Sequence, residues 1–313
     1  MKAFKQANDR AQLEDTLKHL WVFEQSKLDS TVLSVAGALE CAREKAREIL
    51  ARLQEAGLVL AEGPLYALSD KGREYAIQIL RAHRLYETFL ANETGATGQD
   101  WHAEAERVEH KLTPEETNQL AKQLGHPRYD PHGDPIPTRY GQSPVLSGDP
   151  LDTLKIGEVG KIVRLNDNPE SVFGRICEAG LAPNLEFEIV ARQNQSTLLR
   201  IAGREIMCDP EMVDSLTVER LSKIEALPED AVRLSDLKAG QSGEILKISP
   251  VCRGTERRRL LDLGFVNGGR IEVELAGIFK SPVAYKLRNT IVALRDHQTE
   301  NIFVRTVANK KED

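Results

Sequence analysis

The second half of the chain is written twice. "LDTLKIGEVGKIVRL" from Leu151 matches "LSDLKAGQSGEILKI" from Leu234, 83 residues further on, and "RICEAGLAPNLEFEIV" from Arg175 matches "RLLDLGFVNGGRIEVE" from Arg259, 84 further on. Two tandem copies of one unit share one fold, so each must close its own small core. Each copy has alternating apolar residues, the period of a strand with one buried face, interrupted by one short helix before Gly180 or Gly264. That pattern predicts two small β-barrels, at 148–220 and 231–309, joined by "ERLSKIEALPED".

The first half is helical. Leu13, Leu17, Leu20 and Trp21 recur at intervals of three and four, predicting a helix from Ala11 to Gln25. A second is predicted over Val32 to Leu39 and a third over Ala42 to Ala56, stopped by Gly57. "LVLAEGPLYALS" then reads as two short strands around Glu62, Gly63 and Pro64. Three helices followed by a hairpin is the layout of a winged helix-turn-helix, placed at 1–75. Helical spacing continues from Asp70 to Leu90, from Asp100 to Lys111 and from Pro114 to Leu124, with Thr113 and Glu116 in capping-box positions. A helical domain at 76–142 follows from this. "GHPRYDPHGDPIPTRYGQSP" is too rich in proline and glycine for a helix or a central strand, and is predicted to be a linker or an extended crossing. The fold class is therefore multidomain α+β. The helices after Asp70 carry more apolar surface than a short bundle can hide, so a homodimer through this region is expected.

No run of about 18 apolar residues occurs, and "MKAFKQANDR" lacks a signal peptide's apolar core, so a cytoplasmic protein without membrane insertion is expected. Cys41, Cys177, Cys208 and Cys252 form no CxxC pair and suggest neither a disulfide framework nor a thiolate zinc site. With 42 Lys and Arg against 48 Asp and Glu, the formal charge is −6, so any attraction to nucleic acid must come from a local basic surface.

Two neighbouring helices place imidazoles beside carboxylates. Residues three and four apart share a helix face, which sets His83 beside Glu87, and His102 beside Glu106, with Glu109 and His110 close by. One such pair is an ordinary ion pair or core contact. Two such helices in succession make a nitrogen and oxygen donor set of the kind that suits Mn(II), Fe(II) or Zn(II) better than Cu(I).

The combination "RAHRLYETFL", "AEAERVEHKLT" and "DPHGDPIPT", in that order behind a winged-helix layout, resembles the DtxR-type family of iron- and manganese-dependent transcriptional repressors over residues 11 to 140. The resemblance implies an ancillary metal site at His83, Glu87 and His102. It implies a primary site at Glu106, Glu109 and His110, completed by Asp15 from the first helix. Iron-selective members carry a cysteine and a methionine where this chain has Glu106 and Asp15, so the implied set is the manganese type and the implied cofactor Mn(II) or Fe(II). The manganese-type pattern also has a glutamate one turn after Asp15. Here that position is Lys18, a fixed positive charge that disfavours a two-cation cluster. "LKIGEVGKI" with "ICEAGLAPN", and "LKAGQSGEI" with "LLDLGFVNGG", resemble the FeoA domain, an SH3-like barrel associated with ferrous-iron transport. This implies binding or regulatory modules with a protein partner.

In a helix-turn-helix the second helix of the motif meets the major groove, which offers Arg43, Lys45 and Arg47 to double-stranded operator DNA, with Glu44 and Glu48 interleaved. Over residues 1–75, 11 Lys and Arg face 12 Asp and Glu, so arginines paired with the helix's own glutamates are the alternative. In the second repeat, Arg253, Arg257, Arg258 and Arg259 cluster, either as a solvated helix end or as a surface for an acidic partner. The expected function is that of a metal-dependent DNA-binding regulator, a repressor of metal uptake genes, and not an enzyme. The alternative is a non-DNA-binding accessory of ferrous iron transport acting through its FeoA-like domains.

Overall fold

The computed structural model describes residues 2–94, 98–223, 227–228, 230–276 and 281–307. The chain divides into two compact units, one of residues 1–90 with 100–146, the other of residues 91–99 with 147–313.

The first unit contains α1 (Lys2–Gln25), α2 (Val32–Ala38), α3 (Arg43–Glu55), the hairpin β1 (Val59–Glu62) and β2 (Leu65–Leu68), α4 (Asp70–Glu93, of which the last three residues fall to the other unit), α5 (Gly98–Glu109, of which the first two residues fall to the other unit) and α6 (Pro114–Gln123). α2 starts at a reciprocal cap: the Ser34 amide donates to the Thr31 hydroxyl at 3.2 Å and the Thr31 amide to the Ser34 hydroxyl at 3.0 Å. α3 buries Ala46, Ile49, Leu50 and Leu53, the i, i+3, i+4, i+7 stripe, against Leu17 and Leu20 of α1, Val35 of α2 and Val59 and Leu68 of the hairpin. Each aliphatic side chain so buried is worth roughly 1.5–3 kcal/mol relative to exposure. This core therefore fixes α3 to α1, a coupling the site will use.

α4 begins hard against the turn after α3. A Cβ on Gly72 would lie 1.9 Å from the Leu58 carbonyl oxygen, which already accepts the Ser69 amide at 3.0 Å, so only glycine fits there. α6 opens on the expected capping box, with the Thr113 amide donating to Glu116 Oε2 at 2.8 Å.

The proline-rich stretch departs from expectation. Residues 128–136 are no free linker: the Ile136 amide donates to the Arg128 carbonyl at 2.8 Å, and Asp130 Oδ1 accepts the amides of His132 and Asp134, both at 2.9 Å. Asp130 thus supplies the acceptors a helix or sheet would otherwise provide, and the loop packs against α4 through Arg84, which donates to the Pro135 carbonyl at 2.6 Å.

The second unit holds both repeats. The first comprises β3 (Asp149–Pro150), β4 (Val159–Leu165), α7 (Glu170–Glu178), β5 (Glu186–Gln193), β6 (Ser196–Ile201), β7 (Arg204–Cys208), α8 (Pro210–Asp214) and β8 (Leu216–Leu221). The second comprises β9 (Ala231–Arg233), β10 (Ser242–Ile248), α9 (Gly254–Asp262), β11 (Arg270–Ala276), β12 (Val283–Leu287), β13 (Thr290–Leu294), α10 (Asp296–Thr299) and β14 (Ile302–Val307). The sheet orders β3-β8-β4-β5-β6-β7 and β9-β14-β10-β11-β12-β13 are the same order, antiparallel throughout. Even the irregularities repeat: a bulge at Ile162/Arg164 recurs at Ile245/Lys247, and one at Ile189/Ala191 recurs at Val273/Leu275. Leu151 and Leu234, Ile162 and Ile245, and Val218 and Val304 occupy matching places in two separate cores. Gly180 and Gly264, both at positive φ, end the matching helices α7 and α9.

Candidate metal centre

The site is assembled from α1, α4 and α5. His83 and Glu87 lie one turn apart on α4, and His102, Glu106 and Glu109 share α5 with His110 immediately after it, while α1 brings Glu14, Asp15 and Lys18.

Two donor groups result. In the first, His83 Nε2 is 3.0 Å from Glu87 Oε1 and 3.2 Å from His102 Nδ1, and His102 Nδ1 is 3.4 Å from Glu87 Oε1. In the second, His110 Nε2 is 3.2 Å from Asp15 Oδ1 and 3.4 Å from Glu109 Oε1. Within each group the donor atoms lie within 4.8 Å of one another, close enough for one cation to touch all three.

Each imidazole of these two groups is tied by its other nitrogen to a carboxylate. His83 Nδ1 donates to Glu109 Oε2 at 2.5 Å, and His110 Nδ1 donates to Glu14 Oε2 at 2.6 Å. His102 Nε2 is 3.2 Å from Glu106 Oε1. A carboxylate on one ring nitrogen fixes the tautomer and aims the other nitrogen, the usual support of a metal-binding histidine. This is the observation on which a divalent cation fits. Two ring nitrogens converge on Glu87 in the first group, and His83 and His102 meet edge-on with centroids 4.9 Å apart, an arrangement a shared cation would bridge.

The electrostatics agree. Burial raises the Glu87 carboxyl, but the His83 charge and bonds from His102, His132 and His83 outweigh it and hold Glu87 well below the usual carboxylate range. Glu106 is held at about 2, chiefly by its bond with His102. Burial lowers His110, yet bonds to Asp15 and Glu14 and the charge of Glu109 hold it up at about 9. Glu109 is lowered, against its burial, by His83 and Lys18.

The residues predicted from sequence divide between these two groups. His83, Glu87 and His102 come together, and so do Asp15, Glu109 and His110. Glu106, expected in the primary set, has its Oε1 3.2 Å from His102 Nε2, beside the first group. Glu14 escapes sequence reasoning. It is buried, and accepts from Tyr75 and Arg10 as well as His110, but its only sequence signal is adjacency to Asp15. His132, buried in the 128–136 loop with Nδ1 3.5 Å from Glu87 Oε2, escapes it too, although its "DPHGDP" motif helps to carry the family resemblance.

Arg43, Lys45 and Arg47 stand on α3, away from these groups. Arg43 is exposed at its first turn, Lys45 reaches Glu48 at 3.4 Å and Arg47 reaches Glu44 at 3.4 Å, so the pairing alternative is realised for two of the three. In the second repeat, Arg257 donates to the Ile248 and Ser249 carbonyls and Arg253 to that of Pro250, so half of that basic cluster braces its own loop. Burial pushes the thiols of Cys177, Cys208 and Cys252 up to about 11, 12 and 11, which marks them as unreactive packing residues. Among the described residues no helix is long and apolar enough to cross a membrane.

Comparison with known proteins gives the same outline. The iron dependent repressor metal binding and dimerisation domain matches residues 69–138, and the FeoA domain matches residues 150–220 and 232–306. The iron-dependent repressor IdeR of Mycobacterium tuberculosis (strain ATCC 25618 / H37Rv) is 26% identical over 219 residues, 66% of this chain and 95% of that protein. A solved manganese-dependent transcriptional repressor in complex with manganese is 29% identical, with a TM-score of 0.61, covering 66% of this chain and 99% of that one. A second structure of a manganese-dependent transcriptional repressor is 30% identical, with a TM-score of 0.51, covering 57% of this chain and 94% of that one.

Proposed function

This chain belongs to the family of iron- and manganese-dependent repressors, and from that premise we propose that it is a metal-dependent transcriptional regulator with Mn(II) or Fe(II) as corepressor. His83, Glu87 and His102 hold one cation; Asp15, Glu109 and His110 hold another. Glu106 and Glu14 orient the imidazoles. A divalent ion held there would supply the positive charge that offsets the mutual repulsion of these carboxylates.

The observation that carries the reading is that the second group joins α1 to the end of α5, while Leu17 and Leu20 of the same α1 share one buried core with Ile49 and Leu53 of α3. The placement of α3 is thereby tied to the geometry of the metal ligands. A cation that favours one placement of α1 shifts the population toward it by its differential affinity for the two placements and no more. In a homodimer through the helical region, two such helices present Arg43, Lys45 and Arg47 to successive major-groove faces of an operator. That the similar proteins are repressors supports a binding use of these donors and not a catalytic one. The FeoA-like repeats are binding modules for a protein partner, in the cytoplasm with the DNA.

The pairs Lys45–Glu48 and Arg47–Glu44 favour a second reading, an accessory of ferrous iron transport whose α3 no longer meets DNA. Retention of genomic fragments by the full chain, with Mn(II), with Fe(II) and with chelator, separates the two. The regulator retains a fragment with metal and releases it with chelator. Replacing Arg43, Lys45 and Arg47 by glutamine weakens retention and lowers the salt slope by about one for each phosphate no longer neutralised. Failure to retain any fragment at low salt with either metal would leave the accessory.

A further inference from the structure

Lys18 reaches into the second metal group from the same helix that supplies Asp15. Its ammonium lies 2.7 Å from Glu109 Oε1, with Lys18 17% exposed and Glu109 0% exposed at their side chains. That oxygen is also the one 3.4 Å from His110 Nε2. The other oxygen of Glu109 accepts from His83 Nδ1 at 2.5 Å. Both oxygens of this buried carboxylate therefore have a cationic or N–H partner, and the one facing the second group is held by an ammonium.

We propose that Lys18 is a tethered cation that competes with the metal for Glu109 and so sets the metal concentration at which the second centre fills. This rests on the metal-binding reading above and adds a residue to it. A divalent ion among Asp15, Glu109 and His110 needs Glu109 Oε1. Either the ammonium withdraws, breaking an ion pair that is largely out of water, or it stays within a few ångströms of a like charge, and both oppose binding. Lys18 touches the second centre's Glu109 directly and acts on His83 and Glu106 of the first centre by charge alone. Filling is therefore ordered: His83, Glu87 and His102 take the first ion, and the second enters at higher concentration, at the junction of α1 with α5.

The experiment is a Mn(II) titration of the full-length protein, with free Mn(II) read from its six-line electron paramagnetic resonance signal. Wild type should show two steps per chain. In Lys18→Gln, which keeps a hydrogen-bond donor for Glu109 but no charge, the second step should tighten by about tenfold or more while the first moves by less than about threefold. Lys18→Arg, which keeps the charge, should stay near wild type. A second step unmoved in Lys18→Gln, or moved as far in Lys18→Arg, overturns the role of Lys18 and leaves the first centre standing. Absence of any Mn(II) binding in all three proteins overturns this inference, and absence of Fe(II) binding as well overturns the metal reading itself. Equal thermal melting of the three metal-free proteins within a few degrees shows that the comparison is between folded chains.

Discussion

His83→Ala is expected to remove tight divalent binding at the first centre and to weaken the second. The imidazole serves both groups: its Nε2 meets Glu87 and His102, and its Nδ1 holds Glu109. Losing an outer-shell partner of a metal ligand costs on the order of 10–100-fold in affinity, so losing one of three ligands should cost more than roughly a hundredfold. Glu109, fully buried, also loses its N–H donor, and an unsatisfied buried acceptor of this kind costs roughly 1–3 kcal/mol of stability. Titration calorimetry beside a thermal melt reads both effects. Unchanged affinity and stoichiometry in a folded variant would contradict the assignment of His83.

Metal uptake at the second centre is expected to rise with pH by up to about tenfold per unit between pH 7 and 8, from His110 alone, and to level off above about 9. The sign follows from His110, which is held up at about 9 despite burial by its bonds to Asp15 and Glu14 and by the charge of Glu109. At neutral pH the free centre therefore carries a proton on the ring nitrogen that the cation needs. Binding expels it, so the free protein holds more protons than the loaded one and affinity climbs with pH. Glu106, held at about 2, is ionised throughout and adds no slope. Calorimetry in two buffers of different ionisation enthalpy should show about one proton released on filling this centre, while a flat profile with no release would remove His110 from the ligand set.

The fold is legible in the sequence where periodicity carries it. The strand pattern of the repeats, written twice, predicts two copies of one barrel, and the two sheets share strand order and bulges. α1 begins nine residues before the predicted start because Lys2 to Arg10 lack the apolar stripe that marks a helix in sequence. The 128–136 loop reads as a linker or an extended crossing because proline and glycine rule out a helix or a central strand without excluding a loop folded around one aspartate, Asp130. In the site, helical spacing reveals His83 with Glu87 and His102 with Glu106, since both are contacts along one helix. Contacts between helices leave no such trace. Glu14 and Asp15 are neighbours in sequence pointing about 100° apart, yet both reach His110 through opposite ring nitrogens, which only the packing of α1 on α5 determines. The ammonium of Lys18 on Glu109, 91 positions away, is of the same kind.

Ligation of α1 and presentation of α3 are, in this mechanism, one equilibrium. Linkage makes it reciprocal: if metal raises affinity for DNA by a given factor, DNA must raise affinity for metal by the same factor. The direct measurement is the Mn(II) affinity of the full-length protein with and without a DNA fragment it retains, at one fixed salt concentration. Mn(II) should bind more tightly in the presence of the fragment, by roughly 5–150-fold as is typical of such couplings, matching the factor by which Mn(II) tightens DNA binding. Equal Mn(II) affinity with and without the fragment would contradict the coupling of metal site to DNA-reading helix.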